Sequence, residues 1–180
     1  MAAKDALSEE LEALQLALKT EEDGYRYFKE SSERTQHPIA RKFFATLADD
    51  EYVHIRLINE FYDAMRQSSG QGTIKLPEAP GNYRKRLKTI FEEALKDIKE
   101  KVPTDTGITE VYEHAMDLET KAAEYYKQRR DTTPFDQARN MYDWLFHFES
   151  EHYRMLSETL SYLQNPEQWH QEYEKSIFEG

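Results

Sequence analysis

The sequence predicts an all-α protein: a four-helix bundle of two antiparallel hairpins, joined by a long crossover that contains a short helix. Apolar residues recur at three- and four-residue steps through four long segments, which is the period of a helix with one buried face. Glycine and proline, six of each, fall mainly between those segments. Short loops join the first segment to the second and the third to the fourth, so each pair is expected to be a hairpin.

The first hairpin is predicted from its apolar face and its breaker. The first long helix is expected over about 6–34, where Leu14 and Leu18 lie on one face. Pro38 disfavours helical geometry at the residue before it, so it separates this helix from the next. The second long helix is expected over about 38–67.

The rest of the chain divides at its prolines and glycines. The crossover is expected over 68–105 and contains a short helix at about 83–101. The third and fourth long helices are expected over about 106–130 and 135–163, followed by a tail over 164–180. The separating prolines are Pro77, Pro80, Pro103, Pro134 and Pro166.

Composition limits the class of protein. A chain of 180 residues suits one domain, expected over 1–180. The net charge of −11 argues against binding to nucleic acid or to an anionic membrane. The N-terminus has no apolar core like that of a signal peptide, and no apolar run is long enough to span a bilayer, so a soluble cytoplasmic protein is expected. Since the chain has no cysteine, any metal must be held by Glu, Asp and His.

The two halves of the sequence match when one is shifted by 98 positions. Two amphipathic hairpins resemble each other to some extent by chance, and Leu and Ala matches mean little for that reason. Charged and histidine matches at one fixed offset are harder to produce by accident, and they predict an internal duplication. The matched pairs that carry ionisable groups on the apolar faces are Glu21/Glu119, Glu51/Glu149 and His54/His152.

These six side chains are expected to point into the bundle at a similar depth. Glu21, for example, lies three residues after Leu18 and seven before Phe28, in the middle of an apolar stripe. Burying four carboxylates together costs several kcal/mol each unless something compensates for their charge. Two divalent cations supply that compensation. One Glu from each of two helices and a Glu-x-x-His pair from each of the other two form the dimetal arrangement of such bundles.

A third Glu-x-x-His pair serves as a control. Glu167 and His170 follow Pro166 in the tail, and the position 30 residues before Glu167 holds Gln137, whereas Glu51 and Glu149 each have a Glu 30 residues before them. The tail pair is therefore interpreted as a chance match. The aromatic residues of the tail, Trp169 and Phe178, are expected to dock on the bundle or on a second subunit.

With these positions in hand, the chain resembles the rubrerythrin branch of the ferritin-like superfamily over about 6–163. The matching stretches are residues 17–28, 47–54, 119–126 and 149–152. The resemblance implies two iron ions, with Glu51 and Glu149 bridging them. It further implies that Glu21 with His54 caps one ion and that Glu119 with His152 caps the other.

The chain departs from that pattern in two ways. Rubrerythrins with peroxidase activity usually carry an extra glutamate where this sequence has Ala122, and many append a rubredoxin-like domain whose cysteines are absent here. Both departures weaken the peroxidase assignment. Gly24 and Ala122, near the ligands, are interpreted either as room for a substrate or a shifting carboxylate, or as close helix packing. Tyr25 and Tyr126 are the tyrosines expected to lie around the ligands.

The leading functional hypothesis is a cytoplasmic diiron-carboxylate oxidoreductase. It would reduce hydrogen peroxide or dioxygen with electrons from an external donor, as in the response to oxidative stress, with no catalytic group beyond the metal ligands. The same oxygen and nitrogen donors would also accept manganese or zinc. The alternatives are iron oxidation for storage or detoxification, and a non-catalytic bundle stabilised by metal. A homodimer is expected for the first hypothesis and a shell-like assembly for the storage alternative.

Overall fold

A computed structural model describes residues 2–78, 81–96 and 107–166 of the chain. These residues form five α-helices and no β-strand. The helices are α1 (Ala2–Arg34), α2 (Pro38–Gln67), α3 (Tyr83–Lys96), α4 (Ile108–Thr132) and α5 (Asp136–Gln164). The predicted all-α class is confirmed. The end of the predicted crossover helix, and the tail with Glu167, His170, Trp169 and Phe178, lie outside the described residues.

The helix boundaries differ from the predicted ones by only a few residues at most ends. The largest difference within the described residues is at the start of α1, which begins at Ala2 rather than near residue 6. No proline or glycine lies between Ala2 and Leu7, and alanine has the highest helix propensity of all residues, so the helix extends back to Ala2. Helix α2 begins at Pro38, a position where the missing N–H costs no hydrogen bond.

Two apolar clusters fill the bundle, one toward each end. We call them the Phe44 cluster and the Leu145 cluster. The buried members of the Phe44 cluster are Phe28, Ile39, Ala40, Phe43, Phe44, Leu47, Ala48, Leu87, Ile90, Phe91, Ala94, Tyr112, Ala115, Met155, Leu156 and Leu160. Those of the Leu145 cluster are Leu14, Ala17, Leu57, Ile58, Phe61, Met65, Ala122, Tyr126, Ala138, Met141, Tyr142, Trp144 and Leu145.

The order of these residues along each helix gives its direction. Helices α1 and α5 run from the Leu145 cluster to the Phe44 cluster, whereas α2 and α4 run the opposite way. The pairs α1–α2 and α4–α5, which make the most extensive helix contacts, are therefore antiparallel hairpins. The fold is the ferritin-like bundle that the sequence predicts.

The crossover must travel the length of the bundle, because α2 ends at one cluster and α4 begins at the other. Its first part contacts the Leu145 cluster through Ile74 and Leu76. Helix α3 then buries Leu87, Ile90 and Phe91 in the Phe44 cluster. Helix α3 thus covers one flank of the bundle over α2 and α5. In the part of the chain that the structure describes, no helix is both long and apolar enough to cross a membrane.

Two glycines let the chain leave α2 and turn back along it. Gly70 has a φ of 92°, in the left-handed region that favours glycine, and its N–H donates to the carbonyl of Met65 at 2.8 Å. Gly72 lies against the backbone of α2. A Cβ at that position would stand 2.2 Å from the carbonyl carbon of Ala64.

Gly72→Ala is expected to destabilise the protein by about 1–3 kcal/mol, because the added methyl group meets backbone that cannot yield without moving the crossover. For a chain of this size that lowers the melting temperature by roughly 2–12 °C, measured by circular dichroism. Gly81→Ala is the matched control, since no atom lies within 4 Å of its added Cβ. Equal melting temperatures for the two variants would contradict the close approach at Gly72.

Candidate metal centre

The structure brings all six predicted side chains together in one layer between the two apolar clusters. Each helix of the two hairpins supplies its part: Glu21 from α1, Glu51 and His54 from α2, Glu119 from α4, and Glu149 and His152 from α5. No residue of the six is more than 2% exposed. Helical spacing explains the arrangement, since each lies on the apolar face of its helix, and antiparallel pairing brings the faces to one level.

The six residues form two groups able to hold a metal ion. One group consists of Glu21, Glu51, His54 and Glu149, and the other of Glu51, Glu119, Glu149 and His152. Within each group the ligand atoms lie within 4.8 Å of one another. Glu51 and Glu149 belong to both groups. The two groups have the same composition as the two half-sites that the family resemblance implies.

In both histidines, Nδ1 faces the carboxylates. His54 Nδ1 lies 2.9 Å from Glu21 Oε2 and 3.3 Å from Glu149 Oε1. His152 Nδ1 lies 3.2 Å from Glu51 Oε1 and 3.3 Å from Glu149 Oε2. Each imidazole therefore presents the same ring nitrogen to its group, and in each group that nitrogen is the candidate donor atom.

Several of these buried atoms make no hydrogen bond. They are Glu51 Oε1, Glu119 Oε1, Glu149 Oε1 and His152 Nδ1. Buried polar atoms without a partner are rare in folded proteins, because each costs the free energy of lost hydration. These lone pairs of carboxylate and imidazole converge from α2, α4 and α5, whereas His54 Nδ1 is within hydrogen-bonding distance of Glu21 Oε2. Such a donor set fits two divalent cations that prefer oxygen and nitrogen ligands.

Without metal, burial of these charged groups side by side is electrostatically unfavourable, and bound cations would relieve this. Burial raises the pKa of Glu21 well above its usual range, and the charges of Glu149 and Glu51 raise it further. Burial and the charge of Glu149 likewise raise the pKa of Glu119. Burial alone would lower the pKa of His54, but the close carboxylates of Glu149, Glu21 and Glu51 outweigh that effect and raise it. The cluster is thus one that holds extra protons unless cations replace them.

Asp50 is a further residue of the site that is not among those predicted from the sequence. Asp50 Oδ2 lies 3.1 Å from His152 Nε2 and also accepts a hydrogen bond from Arg86 of α3. A carboxylate on the far nitrogen fixes the orientation of a metal-binding imidazole and leaves Nδ1 free to bind. The crossover helix therefore supports the site through Arg86 and Asp50.

The other histidine lacks this support. Position 148 is the counterpart of Asp50 under the 98-residue shift, and it holds Phe148. His54 packs edge-on against Phe148 and Trp144, with ring centroids 5.0 and 5.2 Å away, and its Nε2 has no hydrogen-bond partner. The two halves of the site are thus alike in their ligands and different around them. The difference between positions 50 and 148 is the sequence signal that could have drawn attention to Asp50.

Asp50→Asn is expected to weaken metal binding at the His152 group by about 10–100-fold, because the neutral amide supports the imidazole less well. The measurement is a competition titration of Mn²⁺ or Zn²⁺ against a coloured chelator. Asp49→Asn is the matched control, since Asp49 is the exposed neighbour of Asp50. If both variants bind metal as the unaltered protein does, Asp50 has no part in orienting His152.

The two predicted tyrosines have different surroundings. The hydroxyl of Tyr126 is buried and donates a hydrogen bond to Glu21. Tyr25 is half-buried, and its ring contacts are with Tyr52 at 6.2 Å between centroids and with the ammonium group of Lys29 at 5.6 Å. Of the two, Tyr126 is the one that the structure joins to a carboxylate of the cluster.

A cavity of about 230 Å³ lies between α1 and α4 and reaches the cluster. Gly24 and Ala122 line its walls, and the exposed Asp23 and Lys121 stand at its outer end. A Cβ at Gly24 would stand 3.6 Å from Glu51 Cδ, an ordinary contact. Both of these small residues thus border the cavity, and a side chain at Gly24 would also contact Glu51. A second cavity of about 450 Å³ lies between α4 and α5 and touches Glu119 and Glu149.

A protein-family model described as Rubrerythrin matches residues 12–160. The matched region begins in α1, ends in α5 and contains all six residues of the cluster. No curated protein and no solved structure matches the chain significantly.

Proposed function

Because the chain belongs to the rubrerythrin family, we propose that its carboxylate–histidine cluster binds two iron ions and reduces hydrogen peroxide or dioxygen with electrons from an external donor. The observation that supports this most directly is the pair of buried groups sharing Glu51 and Glu149. When bound, two iron ions supply electrons that no side chain of the protein provides as readily. The protein's own residues hold the ions, shield them and leave a path to them.

Each ligand has a distinct part in this proposal. Glu51 and Glu149, which belong to both groups, hold the two ions together. Glu21 with His54 completes one group, and Glu119 with His152 completes the other. Four carboxylates against two divalent cations give a neutral cluster, which removes the cost of burying either set alone.

The surroundings of the ligands suit a reaction with a small oxidant. The Phe44 and Leu145 clusters exclude bulk water from above and below the site, which strengthens electrostatic interactions within it. The cavity beside Gly24 and Ala122 is large enough for peroxide or dioxygen to approach from the side of α1 and α4. Ala122 stands where peroxidase-active relatives usually carry a further glutamate, so here that position contributes space rather than a ligand.

The experiment begins with protein loaded anaerobically with ferrous iron. We expect two irons per chain by elemental analysis, followed by ferric absorption and loss of oxidant when peroxide or dioxygen is added. Size-exclusion chromatography is expected to give a small oligomer such as a homodimer. Many irons per chain in a cage-sized assembly would indicate iron storage instead, and a loaded protein that consumes neither oxidant would leave metal with a structural role alone.

The approach path is tested with two neighbouring alanines. Ala122→Leu narrows the cavity between α1 and α4, and Ala123→Leu narrows the cavity between α4 and α5. We expect Ala122→Leu to keep two irons and to react with the oxidant at least about tenfold more slowly, a barrier increase of about 1.4 kcal/mol. Ala123→Leu is expected to react at the normal rate. The reverse result would assign the path to the cavity between α4 and α5.

A further inference from the structure

A pair of buried tyrosines leads from the metal centre into the Leu145 cluster. Tyr126 and Tyr142 are both fully buried, and their rings stack with centroids 6.2 Å apart at an angle of 20°. That separation lies within the usual range for aromatic rings in contact. Tyr126 also donates its hydroxyl hydrogen bond to Glu21, a residue of the metal centre.

Each tyrosine of this pair has its own carboxylate. Tyr142 donates a hydrogen bond of 2.7 Å to Glu10 Oε1, just as Tyr126 donates to Glu21. Glu10 is only 1% exposed and lies outside the metal centre. Its other oxygen accepts hydrogen bonds from Arg129 at 2.9 Å and Thr133 at 2.6 Å. Two phenols in ring contact are thus each placed beside a buried proton acceptor.

Packing alone does not require this arrangement. Tyr112, equally buried in the Phe44 cluster, stacks on Phe43 and packs at a tilt against Phe44, and its hydroxyl makes no hydrogen bond. A buried carboxylate costs free energy that a phenylalanine in place of Tyr142 and an apolar residue in place of Glu10 would avoid. What the carboxylates add is a base for each phenol, which is what a tyrosine needs in order to lose an electron and its proton together.

We infer that Tyr126 and Tyr142 are a redox-active pair that supplies two electrons when dioxygen is the oxidant, a role that rests on the proposed function. Reduction of one dioxygen to two water molecules takes four electrons and four protons, and the four protons come from the surrounding water. Two electrons come from oxidation of two ferrous ions to ferric ions. The other two come from the tyrosines, each of which becomes a neutral radical and passes its proton to Glu21 or Glu10.

The order of the two losses follows from position. Tyr126 touches the metal centre through Glu21 and is oxidised first. Tyr142 then reduces the Tyr126 radical through the ring contact and gives its own proton to Glu10, while Glu21 returns to Tyr126 the proton it had taken. A second oxidation of Tyr126 completes the count of four electrons. The external donor returns both radicals to tyrosine.

The test uses the full chain loaded anaerobically with two ferrous ions, mixed with dioxygen in the absence of reductant and frozen at intervals. Electron paramagnetic resonance is expected to show an organic radical whose spectrum changes when ring-deuterated tyrosine is incorporated. The radical is expected to be lost in Tyr126→Phe and confined to Tyr126 in Tyr142→Phe and in Glu10→Gln. In the doubly substituted Tyr126→Phe, Tyr142→Phe protein, hydrogen peroxide is expected to replace water as the product.

Tyr112→Phe is the matched control, and it is expected to keep both the radical and the product of the unaltered protein. The inference is overturned if the unaltered protein oxidises its iron with dioxygen and forms no tyrosine radical, or if the radical survives in the doubly substituted protein. If dioxygen does not oxidise the iron, the proposed reaction with dioxygen fails separately. In that case the zinc-loaded protein is oxidised with azidyl radicals. The inference then requires a long-lived tyrosine radical that depends on Tyr126 and Tyr142 and is unaffected by replacing Tyr112.

Discussion

Glu149→Ala is expected to abolish binding of both metal ions, and Glu51→Ala is expected to do the same. Each of these carboxylates belongs to both ligand groups, so removing one leaves neither group complete. The remaining three carboxylates would also face two divalent cations in a buried site, leaving positive charge without compensation. The measurement is the number of metal ions per chain after loading with Fe²⁺ or Mn²⁺ and removal of excess.

Glu60→Ala is the matched control for this loss. Glu60 lies on the same helix as Glu51, but it is half-exposed and pairs with Arg56 at 2.7 Å. An exposed pair of this kind contributes little to stability, so this variant is expected to bind two ions normally. A Glu149→Ala or Glu51→Ala protein that still folds and holds two ions would show that the substituted carboxylate is not shared between them.

In the metal-free protein, the free energy of unfolding is expected to decrease as the pH rises. Folding raises the pKa of Glu21, mainly through burial, and the pKa of His152, where the charge of Glu119 and the hydrogen bond with Asp50 outweigh the opposing effect of burial. Glu119 and His54 shift in the same direction. A group whose pKa is raised by folding binds its proton more tightly in the folded chain, so its contribution is lost as the pH rises through the raised pKa.

The metal-free protein should therefore be most stable at mildly acidic pH and become less stable from there through neutral pH. Below the usual carboxyl pKa of 4.5 the opposite trend applies, because Glu51 and Glu149 have lowered pKa values and lose their contribution as they are protonated. Burial opposes this lowering, but close contacts of these two carboxylates with neighbouring groups, including His152 and His54, outweigh it.

Metal binding is expected to release up to four protons, one each from Glu21, Glu119, His54 and His152. Affinity should then rise by up to about tenfold per pH unit for each proton released. Calorimetric titration with Zn²⁺ in two buffers of different ionisation enthalpy measures the proton number directly. Melting temperatures with and without Zn²⁺, compared at about pH 5.5 and about pH 8, should differ more at the higher pH. A pH-independent difference would mean that the ligands carry no extra protons without metal.

Much of the fold and the whole set of six cluster residues could be predicted because each depends on a local pattern. Helical period alone indicates that Leu14 and Phe28 face inward and that Glu21 lies between them. The 98-residue repeat then identifies the counterparts of Glu21, Glu51 and His54 in the second half of the chain. No knowledge of side-chain packing is needed for these steps, because each of the four long helices is antiparallel to the helix it pairs with and has a similar length.

The supporting contacts could not be predicted in the same way. Tyr25 and Tyr126 have equivalent standing in the pattern, yet only Tyr126 meets a cluster carboxylate, from a residue 105 positions away. Glu10 accepts a hydrogen bond from Tyr142 across 132 positions. Asp50 differs from its neighbour Asp49 by one step around the helix, and that step decides whether it meets Arg86 and His152.

The sequence by itself therefore determined the helices, the inward faces and the need for positive charge among four buried carboxylates. The tertiary structure decided which residues contact and support the ligands, where the cavity opens and which tyrosines contact each other. The physical reason is the distance over which each feature is determined. Helical period and burial are fixed by residues a few positions apart, whereas hydrogen bonds and cavities depend on the separation of helices to within an ångström, and that separation is set by the packing of every side chain between them.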